Sequence, residues 1–172
     1  DSKMYIDDSG NLSVADIRSR CRRQQTRYGL DLVVIDYLGL LQLGNKRGSL
    51  VADIAVATRA LKILAKELQV PIMLLCQLSR GSESRKENGY RPILADLRDS
   101  GAIEQDADMV LLLYRKALAM RNRKDDSEYG GAPAEEIEDN TAEVIVAKNR
   151  NGPLKTVNLA FQGMFSRFVN PS

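Results

Sequence analysis

Two polar residues close apolar runs in this sequence. Asp36 follows Leu32, Val33, Val34 and Ile35, and Gln77 follows "PIMLLC" at positions 71–76. A carboxylate so near a core needs a partner. At a strand end it can hold, through water, the magnesium of a bound nucleotide. It can equally cap the turn or helix that follows, and the residue alone leaves both readings open. Gln77 could sense a terminal phosphate or orient a water, or be no more than a polar strand end. Other chemistry is excluded by composition. Histidine is absent, which removes Ser-His-Asp and Cys-His nucleophiles and every His-based metal site. Two cysteines, Cys21 and Cys76, are too few and too far apart for a disulfide framework or a zinc site. Cys76 reads as a plain core residue. Any metal must therefore take oxygen ligands, which favours magnesium or calcium.

The elements that must position these residues follow from periodicity. "KMYID" (3–7) predicts a short strand and "DDSGN" a turn. Ser13 and Asp16 form a capping-box pair opening a helix that runs to about Tyr28 and stops at Gly29. Residues 32–36, a β-branched and leucine run closed by Asp36, have the pattern of a strand buried on both faces. Residues 44–49 are a loop. From 50 to 69, Ile54, Thr58, Leu61, Ala65 and Leu68 recur at alternating spacings of four and three, an amphipathic helix. A second buried strand is expected at 71–77, a long polar, base-rich loop at 79–92, and a third buried strand at 109–115. A fourth follows at 142–148. "NRNGP" (149–153) is a turn, and "LKTVNLAF" with "MFSRFV" forms a terminal hairpin. Strands alternating with helices predict an α/β fold, a largely parallel sheet flanked by helices with an antiparallel C-terminal hairpin. Ligands in such sheets bind beyond the carboxyl ends of the strands, where Asp36 and Gln77 both fall.

The chain of 172 residues has the length of one domain. Its 44% hydrophobic and 28% charged residues are those of an ordinary globular protein. No apolar run approaches the ~18 residues of a membrane span, so no membrane association is expected, and the setting is expected to be reducing and cytoplasmic. The chain has no visible signal peptide and no initiator Met, and is expected to begin inside a longer protein. The net charge of +2 hides an asymmetry, because "DDSEYGGAPAEEIED" (125–139) carries seven acids and no base. The remainder holds 25 bases against 16 acids. A basic body with one acidic insertion, about 119–140, fits a protein that binds polyanions. The arginines at 18, 20, 22, 23 and 27 read first as a solvated helix face.

The order of the remaining motifs is informative. "IDYL", "QLSR", "DLRDSGAIEQDAD" and "KNRNGP" occur in sequence, and with them the chain resembles the motor domain of the DnaB-type replicative helicases, a RecA-like fold. The resemblance runs from about Tyr5 to the end, roughly the last two-thirds of that domain. "SGAIEQDAD" and "NRNGP" are too long to match by chance. The resemblance implies ATP and Mg²⁺ as cofactors, single-stranded DNA as the track, a homo-hexamer, and a primase and a helicase loader as partners. Asp36 becomes the Walker B carboxylate on magnesium, and Gln77 the residue coupling γ-phosphate state to the DNA loops. Arg98, Asp99 and Gly101 fall on the loop that tracks the DNA backbone, and Arg80 matches a basic residue near the DNA channel. Lys148 and Arg150 match the basic pair that reaches the neighbouring subunit's nucleotide, with Arg150 as arginine finger.

Two departures from that pattern stand out. Gly39 occupies a position where the family usually has Gln. No G-x-x-x-x-G-K-[ST] occurs anywhere in the sequence; "GNKRGS" has neither the spacing nor the Lys-Ser/Thr ending. The chain is therefore read as part of a motor domain, expected to be inactive alone. Two alternatives remain at this point, a RecA-like repair or recombination ATPase and a non-catalytic module binding DNA or a partner subunit.

Overall fold

The structure, a computed structural model, describes residues 3–43, 49–78, 90–119 and 140–171. Most of the 44–49 loop, Arg80 with most of its polar loop, and most of the acidic insertion lie outside the described residues. The chain divides into two compact units. One comprises 1–77 with 100–106, the other 78–99 with 107–172.

The first unit is built on helices α1 (Val14–Tyr28) and α2 (Leu50–Leu68) and the parallel strands β1 (Val33–Ile35) and β2 (Ile72–Leu74). The capping box opens α1 as expected. Ser13 Oγ accepts from the Asp16 N–H at 3.2 Å, while the Asp16 carboxylate accepts from the Ser13 N–H at 3.0 Å. The Ser13 hydroxyl, which also donates to this carboxylate, and then the Ser13 N–H hold the Asp16 carboxyl below its usual range. Its contribution is thus fully present above the unfolded-state pKa and is lost as pH falls through the lower folded one. At the other end Gly29, at φ 80°, turns the chain out of the helix. Ser13→Ala should remove the cap and lower stability by about 1 kcal/mol, read as a lower urea midpoint with an unchanged slope. An unaltered midpoint would mean that α1 is held by packing alone.

Ile17 and Cys21 of α1 pack with Ile54, Leu61, Leu64 and Leu68 of α2, with Ile35 of β1, and with Ile103 of the short helix α3 (Gly101–Asp106). Burial pushes the Cys21 and Cys76 thiols up, as expected of core cysteines. Arg18 and Arg22 both clasp Glu67 of α2, and Arg20 pairs with Asp7. Three of the five α1 arginines thus serve the unit's own fold.

Two expectations are corrected here. Residues 3–9 form no strand; Met4 and Ile6 are exposed, and a strand without a partner leaves its backbone to water. The run at 32–36 is not buried on both faces. Ile35 is buried whereas Val34 is 56% exposed, because α1 and α2 cover one face of the parallel pair and Leu32, Val34, Met73 and Leu75 lie on the other.

The second unit carries an antiparallel sheet in the order β3 (Met109–Tyr114), β4 (Thr141–Asn149), β5 (Lys155–Gln162), β6 (Arg167–Val169). The terminal hairpin is present, and the antiparallel pairing extends back from it to β3. That strand also buries one face only: Val110, Leu112 and Tyr114 point inward, Met109, Leu111 and Leu113 outward. A 3₁₀ segment, Leu94–Ser100, precedes α3. Arg91 ties the sheet across its strands, donating to Thr156 Oγ1 at 3.1 Å and pairing with Glu143.

Candidate functional site

The parallel pair fixes where the first unit can bind. Val33, Val34 and Ile35 pair with Ile72, Met73 and Leu74. The ladder continues as the Leu75 N–H donates to the Ile35 carbonyl at 3.0 Å and the Leu38 N–H to the Leu75 carbonyl at 2.9 Å. Asp36 therefore leaves the sheet beside Leu75, and Gln77 leaves the adjacent strand two residues later. Both stand exposed beyond the carboxyl end of the pair, so the structure brings these two expected residues to one edge. The Asp36–Tyr37 peptide is cis. Among the described residues no hydrogen bond or ion pair engages the Asp36 carboxylate, so the capping reading finds no partner there.

Could such an edge hold magnesium? Among the described residues no group of three or more acidic, Cys or His side chains gathers to bind a metal. An ion at Asp36 would take its remaining ligands from phosphate oxygens and water. Magnesium normally binds in this way, through one or two carboxylates plus substrate. The donor chemistry fits.

Gly39 sits in the 3₁₀ turn Leu38–Leu40 just beyond. A Cβ there would meet Cε2 of the Tyr37 ring at 2.6 Å. A Gln at this position would require the Tyr37 ring to lie elsewhere, and in this chain ring and glycine are matched.

In the second unit, Lys148 lies half-buried on β4 opposite Val110. Arg150 opens the turn that follows. Its N–H donates to the Asp108 carbonyl at 2.9 Å, and its Nη1 lies 3.3 Å from Asp108 Oδ1. The turn is shaped by Asn149, whose Oδ1 accepts from the Asn151 N–H at 3.2 Å. The Asn149 amide lies so close over Gly152 that a Cβ there would fall 2.7 Å from Nδ2. "NRNGP" is thus a turn in which the Asn149 amide packs over Gly152. That does not compete with a role for Arg150.

The DNA-loop residues divide between the units. Arg98 and Asp99 belong to the 3₁₀ segment, with side chains outside what is described, and Gly101 begins α3. Sequence reasoning missed what anchors α3. Asp106 at its end accepts from Thr58 Oγ1 at 3.1 Å and from Arg59 Nη1 at 3.2 Å, both on α2. Thr58 was visible only as a buried position, and its partner lies 48 residues away. Nor was Asp108 assigned, although both acids stand in the quoted "EQDAD".

Comparison with known proteins decides the family. Residues 1–170 match the model of the DnaB-like helicase C terminal domain. The chain belongs to this family. Over 170 residues it is 48% identical to the replicative DNA helicase DnaB of Leifsonia xyli subsp. xyli, covering 99% of this chain and 34% of that protein. Against the replicative DNA helicase DnaC of Bacillus subtilis it is 43% identical, covering 98% and 34%. The chain thus spans about a third of the length of the curated relatives it matches. Among solved structures, one described as an ATPase domain superposes with a TM-score of 0.76 at 40% identity, covering 94% of this chain and 52% of that one. A DnaB-like replicative helicase, described with its interactions with primase, gives 0.79 at 39%, covering 97% and 38%. The RecA-like α/β class read from the sequence is therefore that of DnaB-like helicase ATPase domains. No described helix is long and apolar enough to cross a membrane.

Proposed function

We propose that this chain forms part of the ATP-driven motor of a hexameric replicative DNA helicase that moves along single-stranded DNA. The observation that carries the reading is Asp36, an exposed carboxylate beyond the carboxyl end of a parallel strand pair, in a chain matched to the DnaB-like family over nearly its whole length. Magnesium, when bound, screens the charge on the transferring phosphoryl group. The chain's own residues hold and sense: Asp36 holds the hydrated ion, and Gln77, on the same edge, responds to the γ-phosphate. Lys148 and Arg150 serve the nucleotide of the adjacent subunit. Arg80, Arg98, Asp99 and Gly101 grip the DNA backbone, and a primase and a loader bind the assembled ring.

Sequence-blind translocation requires contacts to phosphate rather than to bases. In a ring of full subunits, Arg98→Ala should weaken single-stranded DNA binding about equally across base compositions. The salt dependence of binding should flatten by about one counterion. Fluorescence anisotropy on homopolymer strands over a range of salt concentrations reads both. A loss confined to one base composition would mean that Arg98 reads sequence, against the translocation reading.

A further inference from the structure

We infer that Asp108 is the positioning residue of the arginine finger, an inference that rests on the proposed role of Arg150. β3 and β4 run antiparallel with Met109 opposite Asn149, so the next rung outward sets Asp108 against Arg150. The residue opposite Lys148, two rungs inward and on the same face, is Val110. The acid therefore stands directly across from Arg150. Opposite charges directly across an antiparallel pair attract.

Asp108 grips Arg150 at both ends. Its carbonyl takes the Arg150 N–H, fixing where the turn departs, and its carboxylate takes Nη1, fixing where the long side chain lies. An arginine on an exposed turn otherwise spreads over many rotamers. The two side chains are about half exposed, 47% and 53%, and exposed ion pairs are weak. The proposed role asks only a few-fold bias of this pair. The pair is too weak to keep the guanidinium from phosphate, whose charge-assisted, bidentate bonds are stronger. Asp108 thus presents Arg150 without withholding it.

The test is steady-state ATP hydrolysis by the DNA-bound ring of full subunits. Asp108→Asn, which keeps the shape, and Asp108→Ala should each lower kcat about 3- to 5-fold with KM for ATP and ring assembly unchanged. Asp108→Glu should restore most of the loss. Added to Arg150→Ala, Asp108→Ala should cost nothing further, since the residue it positions is gone. An equal loss in the Arg150→Ala background would mean that Asp108 acts through the fold, and the inference fails. An unchanged or raised kcat in Asp108→Asn also overturns it, the latter because the pair then restrains the finger. Full turnover in Arg150→Ala itself would sink the finger reading. An inactive Arg150→Ala beside a fully active Asp108→Asn would sink only the role of Asp108.

Discussion

Replacing Arg150 by Ala in the proposed hexamer is expected to lower ATP turnover by about 10³-fold or more, the effect of removing an arginine finger. Such a residue stabilises charge that develops in the transition state, so ATP binding and ring assembly should survive. The structure makes the change a clean one. Arg150 is about half exposed on a turn held by Asn149 and Gly152, and its backbone bond to Asp108 remains in the variant. Arg150→Lys should recover little, because a compact ammonium cannot reproduce the planar fork that matches phosphate. Phosphate release, nucleotide binding and ring size measured on one preparation decide the matter. Turnover within a few-fold of the parent would remove Arg150 from the catalytic machinery.

What could be read from the sequence depended on how local its cause was. The start of α1 rests on a hydroxyl and a carboxylate three residues apart, and its end on one glycine, so both were legible. The face of α2 was legible from spacing, and Ile54, Thr58, Leu61 and Leu68 are buried as expected. Strand burial was not. "LVVI" and "MVLLLY" look alike apolar on every residue, yet each presents alternate side chains to its unit's core. A pattern without alternation records what a strand tolerates on each face and cannot say which face is covered. Pairing direction was equally hidden, since β3 meets β4 across the long acidic insertion.

The candidate site divides along the same line. Asp36 and Gln77 were legible because a charge or amide that ends an apolar run marks the end of its strand, and neighbouring parallel strands bring such ends together. Asp106 and Asp108 were written in plain view, but their meaning lies in Thr58, Arg59 and Arg150, more than forty residues away in the chain. The motif advertised carboxylates; only the fold supplied their partners.

Asp36→Asn should be the next most damaging change, costing about 10- to 100-fold in turnover or magnesium affinity, the usual cost of losing a group that orients a metal's bound ligands. The amide keeps the shape, and no bond among the described residues is lost with the charge. Folding should therefore be unaffected, and added magnesium should recover part of the loss. A stability loss without a change in magnesium dependence would return Asp36 to a structural role. Mixing the two variants then asks where Arg150 acts. Rings assembled from Asp36→Asn and Arg150→Ala subunits contain junctions that pair an intact Asp36 with an intact Arg150 of the neighbour. If Arg150 acts across the junction, such rings should hydrolyse ATP faster than rings of either variant alone. The recovery is limited by the fraction of productive junctions and by cooperation around the ring. If Arg150 serves its own subunit, no subunit in the mixture holds both groups and activity should not exceed the average of the two parents. Mixed rings that form normally without such recovery would place Arg150 within its own site.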